Sequence, residues 1–185
     1  MRGRGGAQGL TAMPVASLYL RPRRAMPQPM KTARKPPVER AAARLGAVQA
    51  LYQMDIAGTD VGETLAQFSS RAIGDDFEDG QCGEADYKHL KDVVDGVVRE
   101  QATIDPVVDR ILDSNWPLHR LDTTVRAIIR AAAFELMFLE KVPARVAISE
   151  YVDVASAFFD VEEPKFVNGV LDRLARQRRP DEFAA

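Results

Sequence analysis

From Val38 onward the apolar residues recur at the three- and four-residue spacings of amphipathic helices, and no segment alternates convincingly with a period of two. The clearest stripe comprises Val125, Ile128, Ile129, Ala132, Leu136 and Leu139. A length of 185 residues fits one domain, or two small bundles that share a core. We therefore predict an all-α protein of about seven helices.

Turn and capping residues set the predicted helix boundaries. The first helix carries the stripe Ala41, Leu45, Val48, Tyr52 and Ile56 and ends at Gly58. The third helix is predicted over about residues 85–103. Asp105-Pro106, an N-cap residue followed by proline, is typical of a helix start and predicts that a separate fourth helix begins there. The other signals are Asp60 with Glu63 before helix two, Asp122 before helix five, Val142-Pro143 before helix six and Pro164 in helix seven.

Little in the sequence supports catalysis or metal binding. One cysteine, Cys82, and two histidines, His89 and His119, lack ligand spacing, and no phosphate loop, dinucleotide fingerprint or hydrolase motif occurs. The acidic segment 73–86 fails as a calcium loop because Phe77 takes the third ligand position. No apolar run is long enough to span a membrane. We expect a cytoplasmic protein that is not an enzyme and has no cofactor.

The net charge of −2 conceals a strong asymmetry along the chain. Residues 1–44 hold ten basic groups and one acid, whereas residues 45–185 hold 15 basic and 26 acidic groups. Residues 1–37 are rich in Gly, Pro and Arg and predict a disordered basic leader, or sequence upstream of a true start at Met26 or Met30. An Arg-Gly-type RNA-binding arm is the alternative. Residues 38–180 are the predicted helical domain.

Two sets of basic residues fit either RNA binding or an ordinary solvated surface. On a helical wheel of helix seven, Phe166 lies between the apolar stripe and a flank with Lys165, as stacking on single-stranded RNA requires. Arg173 and Arg176 lie on the same flank. Arg40 and Arg44, one helical turn apart, could follow adjacent phosphates. Periodicity alone leaves both interpretations open.

Several motifs, in order and spacing over about residues 38–176, resemble the NusB family of bacterial transcription antitermination factors. They are Ala47–Tyr52, Asn115-Trp116, Arg126–Ile128, Phe134–Leu136, Val142-Pro143, Val146–Glu150 and Lys165–Asp172. The resemblance implies two small helical bundles packed together. It also implies binding of the boxA element of ribosomal-operon RNA together with NusE, a small-subunit ribosomal protein. The implied partners also include other Nus factors and RNA polymerase. The implied roles are transcription antitermination and assistance to ribosome biogenesis.

The resemblance assigns roles to individual residues. Arg40, Arg44, Lys165 and Phe166 match RNA-contacting positions, and Tyr52 and Glu162 match the surface shared by RNA and NusE. Asn168 and Gly169 are expected to be structural, allowing close helix packing. The resemblance leaves two alternatives: a docking adaptor without RNA binding, and a relative of the NusB-like domain of RNA cytosine methyltransferases. Some NusB-like proteins self-associate over the RNA surface, so a homodimer is a further expectation of the resemblance. We expect no catalytic domain because the chain ends at Ala185.

Overall fold

The computed structural model describes residues 39–71, 84–114 and 116–184. Within these ranges the secondary structure is helical, with no strand. The six α-helices are α1 (Glu39–Ala57), α2 (Val61–Arg71), α3 (Glu84–Asp109), α4 (Thr123–Phe138), α5 (Ala144–Phe158) and α6 (Glu162–Arg178), with 3-10 turns at Leu118–Arg120 and Pro180–Glu182. The all-α prediction is confirmed, with six helices in place of about seven. The predicted leader and most of the acidic segment lie outside the described residues.

Helix α4 is the central element of the fold. Helices α1, α2 and α3 pack together as a first bundle, and α4, α5 and α6 pack together as a second. Helix α4 also packs against α1 and α3, so one continuous apolar core joins the two bundles. Among the described helices, none is long and apolar enough to cross a membrane.

The predicted helix ends have physical caps. Gly58 adopts a φ of +66°, the left-handed conformation that ends α1 at little cost for glycine. The Asp60 carboxylate accepts a hydrogen bond from the Glu63 backbone N–H at 2.9 Å and caps α2. The Asp122 carboxylate accepts one from the Thr124 N–H at 2.8 Å and caps α4. These three boundary predictions are confirmed.

The predicted boundary at Asp105-Pro106 is wrong, because α3 continues through Pro106 to Asp109. Proline removes one backbone donor from the helix. Burial of Ile104, Val107 and Val108 on both sides of the proline favours helix continuation. The Asp105 side chain accepts a hydrogen bond from the Arg130 guanidinium at 2.7 Å, so it pairs with α4 instead of capping a new helix.

The apolar stripe predicted for α1 lies at the edge of the buried face rather than at its centre. Ile56 is 44% exposed, and Tyr52 is only partly buried. The buried face is made mainly of small residues, which let α1 approach its neighbours closely. Its members are Ala42, Ala43, Gly46, Ala47, Val48, Ala50 and Leu51.

Residues after α6 form a carboxy-terminal clasp, consisting of Arg179, Glu182 and Phe183. The Arg179 guanidinium donates hydrogen bonds to four backbone carbonyls at the end of α4 and in the following loop, those of Glu135, Leu136, Leu139 and Val142. The Glu182 carboxylate accepts one from the Ala144 N–H at 2.6 Å. The Arg176 guanidinium lies 4.8 Å from the centre of the Phe183 ring. The clasp therefore joins the end of α4 to the start of α5.

Candidate nucleic-acid interface

The first turns of α6 place a cation, a carboxylate and an aromatic ring together, and we call Glu162, Lys165 and Phe166 the α6 surface. The Glu162 and Lys165 side chains are 72% and 68% exposed, and they form a 3.4 Å ion pair. An exposed pair of this kind contributes little stability, so a phosphate can replace Glu162 as the partner of Lys165 at small cost. Phe166 is partly buried, with its ring packed against the edge of the core.

The other two cations of the predicted flank have partners within the protein. Arg173 is exposed but donates a hydrogen bond to the Ile111 carbonyl at 3.4 Å. Arg176 pairs with Asp172 at 2.8 Å and lies over Phe183. Among the three cations of that flank, Lys165 is thus the one adjacent to the aromatic ring.

Arg44 is buried, which corrects the placement that both sequence interpretations assumed. Its side chain is 3% exposed, and its guanidinium donates two hydrogen bonds of 3.0 Å to the Glu135 carboxylate. A third, of 3.2 Å, goes to Glu150. An RNA contact by Arg44 would require this arrangement to open, because the side chain is buried and each of its three nitrogens donates inside the protein.

The residues around Arg44 form a buried cluster, which we define as Arg44, His89, Glu135, Glu150 and Tyr151. The Glu135 carboxylate is fully buried and also accepts hydrogen bonds from His89 Nε2 at 3.0 Å and the Tyr151 hydroxyl at 2.9 Å. Burial alone would raise the pKa of Glu135, but the hydrogen bonds from His89 and Arg44 outweigh it and hold that pKa at about 2. The cluster joins α1, α3, α4 and α5 through one shared anion.

Sequence reasoning missed this cluster, although a signal for it was present. Glu135 lies inside the apolar stripe of α4, between Phe134 and Leu136, and a carboxylate at a core position requires internal donors. The small residues Ala42, Ala43 and Ala47 beside Arg44 indicate a face in close contact with other helices. Those observations together favour a buried ion pair.

Arg40 lies one turn before Arg44 and is exposed. Helices α1 and α6 both pack against α4 and α5. Of the two arginines predicted on α1, Arg40 is the exposed one.

Tyr52 is twelve residues from Arg40, which corresponds to about 18 Å along α1. Burial, followed by the negative charge of Asp122, raises the pKa of the Tyr52 hydroxyl. Tyr52 is therefore a neutral aromatic near the start of α4, and the structure does not group it with Arg40.

The predicted structural role of Asn168 and Gly169 is wrong. Asn168 is exposed, and a Cβ built on Gly169 meets no atom within 4 Å. Neither residue allows a close helix contact. Both lie on α6 within one turn of Lys165.

The sequence profile of the NusB family matches residues 41–176. The chain belongs to the NusB family. It is 53% identical over 144 residues to the transcription antitermination protein NusB of Rhodopseudomonas palustris (strain HaA2), covering 78% of this chain and 85% of that protein. It is 51% identical over 144 residues to the NusB of Bradyrhizobium diazoefficiens, covering 78% and 87%.

Solved NusB structures share this fold. T. maritima NusB superposes with a TM-score of 0.66 at 28% identity, covering 81% of this chain and 99% of that one. A crystal structure of antitermination factors NusB and NusE in complex with double-stranded RNA superposes with a TM-score of 0.63 at 29% identity, covering 75% and 97%. The resemblance identified from the sequence motifs is confirmed at the level of family and fold.

Proposed function

We propose that this protein is a transcription antitermination factor that binds boxA RNA of ribosomal operons together with NusE. The observation that carries the proposal is the placement of Lys165 beside Phe166 on the exposed first turns of α6. A half-buried aromatic ring offers a rigid stacking face for a base, and an adjacent ammonium offers a partner for its phosphate. A family relative that binds NusE and RNA with the same fold supports it.

Arg40 extends the proposed RNA site to α1, and Tyr52 and Glu162 contribute to the surface shared with NusE. Arg44 is excluded from the contact set because its donors are occupied inside the protein. The described RNA-contacting cations are then Arg40 and Lys165. Further positive charge is present in the leader, at Lys31, Arg34 and Lys35, which lies outside the described residues.

The proposed activity is binding without catalysis or a cofactor. In the described part of the chain no group of three His, Cys, Asp or Glu side chains is arranged to hold a metal ion. Recruitment of other Nus factors and RNA polymerase, assistance to ribosome biogenesis and a cytoplasmic location complete the proposal. Homodimerisation over the same surface is a competing use of it.

Fluorescence anisotropy with a labelled single-stranded boxA-type RNA tests the proposal. Binding is measured with and without NusE at several salt concentrations, with a scrambled RNA of equal length as the control. We expect sequence-dependent binding that NusE strengthens. Two phosphate contacts give a slope of log affinity against log salt of about −1.4, and a steeper slope would assign contacts to the leader.

Binding to NusE without binding to either RNA, at any salt concentration, would contradict the proposal. That result would favour the docking-adaptor alternative, in which the α6 surface contacts protein only.

A further inference from the structure

Two glycines of the described helices are explained by close packing. A Cβ built on Gly96 would lie 2.0 Å from the Phe134 ring, so only glycine lets α3 approach α4 at that point. A Cβ built on Gly46 would lie 2.6 Å from Leu90 Cδ1, at the contact between α1 and α3. In both cases a side chain would have to displace the core.

Two further described glycines lie at the turn into α2, one in a left-handed conformation and one in close contact with the α2 cap. Gly58 has a positive φ, and a Cβ on Gly62 would lie 3.2 Å from the Asp60 oxygen that caps α2. Gly169 differs from all of these. It lies in the interior of α6, has no positive φ, and has open space where its Cβ would be.

Among the described residues, therefore, nothing favours glycine at position 169. Glycine in a helix interior is less favourable than alanine by about 1 kcal/mol, because it loses more backbone freedom on folding. Alanine would remove that cost without a clash. The missing side chain must then matter to something that approaches α6 from outside.

The position of Gly169 indicates what approaches. Gly169 follows Phe166 by three residues and Lys165 by four, so it lies one turn further along the face that carries both. Exposed Asn168 is its neighbour and makes no hydrogen bond to any described residue. A cation, an aromatic edge, a free amide and bare helix backbone are thus contiguous.

We propose that Gly169 is a nucleotide-binding position of the RNA site, because it leaves the α6 backbone open for the nucleotide next to the one stacked on Phe166. The inference rests on the proposed function. A base is a flat group that needs an unobstructed surface, and open space over Gly169 leaves one beside Phe166. The Asn168 amide can donate to and accept from the edge of that base. Lys165 supplies the charge complementarity that favours RNA as the occupant.

The first arm of the test is thermal unfolding of Gly169→Ala in the full chain, without RNA. We expect the melting temperature to rise by about 2–4 °C, the shift that a gain in helix propensity of this size gives a chain of this length. A lower melting temperature would show an internal role for Gly169 and would overturn the inference, whatever RNA does.

The second arm is anisotropy with the same single-stranded boxA-type RNA. We expect Gly169→Ala to weaken binding about fivefold and Gly169→Gln, with a longer side chain, about 20-fold or more. Thr103→Ala is the matched control, because Thr103 is an exposed position in α3 where alanine also raises helix propensity. The control should bind RNA as the unaltered protein does.

The outcomes separate this inference from the proposed function. Unaltered protein that binds the RNA, with both Gly169 variants within twofold of it, would overturn only the inference. Unaltered protein that fails to bind the RNA would overturn both. Gly169 variants that lose NusE binding but keep RNA binding would assign the bare backbone to the protein partner and would also overturn the inference.

Discussion

The buried cluster and the α6 surface contain the same kinds of side chain. Each combines a cation, a carboxylate and an aromatic residue: Arg44, Glu135 and Tyr151 in the first, Lys165, Glu162 and Phe166 in the second. In the buried cluster each Arg44 nitrogen donates to an internal carboxylate, and the described residues contain no buried side-chain nitrogen or oxygen without a partner. At the α6 surface the ion pair is open to solvent.

The difference shows that solvent exposure decides what a cation can do. The Arg44 guanidinium links α1 to α4 and α5, and its burial keeps it from an external phosphate. Lys165 is held only by an exposed carboxylate three residues away, so its charge is free to change partner. The comparison predicts large effects on stability at the first site and modest effects on binding at the second.

Removal of the shared anion should have the largest effect. We expect Glu135→Ala to lower the free energy of unfolding by about 3–5 kcal/mol, because it leaves Arg44 and His89 buried with an acceptor missing. Urea unfolding measures this change. Glu162→Ala on the α6 surface is the matched control and should change it by about 0.5 kcal/mol or less. Similar losses in the two variants would break the comparison.

Acid should weaken the buried cluster in a defined range of pH. The pKa of Glu135 falls from 4.5 to about 2 on folding, so its contribution is present above pH 4.5 and is lost as the pH falls through about 2. The loss amounts to about 3 kcal/mol in total. Urea unfolding midpoints at pH 5 and pH 3, compared with those of Glu135→Gln, measure it. If the urea midpoint of the unaltered protein falls between pH 5 and pH 3 by no more than that of Glu135→Gln, Glu135 is not the source of the acid sensitivity.

At the α6 surface, loss of the aromatic ring should weaken RNA binding. We expect Phe166→Ala to reduce the free energy of binding by about 1–3 kcal/mol through lost stacking. Phe166→Tyr keeps a stacking face and should retain binding, whereas Phe166→Leu keeps apolar packing and should not. Anisotropy with boxA-type RNA distinguishes the three variants. Equal binding by the leucine variant would assign Phe166 to the core alone.

The smallest expected effect is on the salt dependence of RNA binding, and it distinguishes Arg40 from Arg44, one helical turn away. We expect Arg40→Ala to make the salt slope of RNA binding shallower by about 0.7 and to leave the unfolding free energy unchanged, as one exposed phosphate contact should. Arg44→Met should leave the salt slope unchanged and lower the free energy of unfolding. An Arg40 variant with an unchanged salt slope would move Arg40 to the ordinary solvated surface.

The helical fold could be predicted because apolar periodicity and caps are local signals. Asp60, Asp122 and Gly58 act on backbone groups a few residues away, so their effects can be deduced from the sequence. Pro106 was misinterpreted because its local preference lost to burial of apolar residues on both sides of it.

The candidate site was only partly predictable, for the same physical reason. Lys165 and Phe166 are adjacent in sequence, and the wheel of one helix places them correctly. Arg44 and Glu135 are 91 residues apart, and no local pattern shows that they meet. Similarly, only the three-dimensional structure shows that Gly169 has no neighbour to accommodate.

The carboxy-terminal clasp has a consequence for the order of events during protein synthesis. Residues 179–183 leave the ribosome after all six helices, yet Arg179 supplies the donors for the backbone carbonyls that end α4. Until then, the Glu135 and Leu139 carbonyls have only their backbone donors, the N–H groups of Leu139 and Val142, and the Leu136 carbonyl lacks the Arg179 donor. The end of α4 therefore gains its full set of hydrogen bonds only after α5 and α6 have been made.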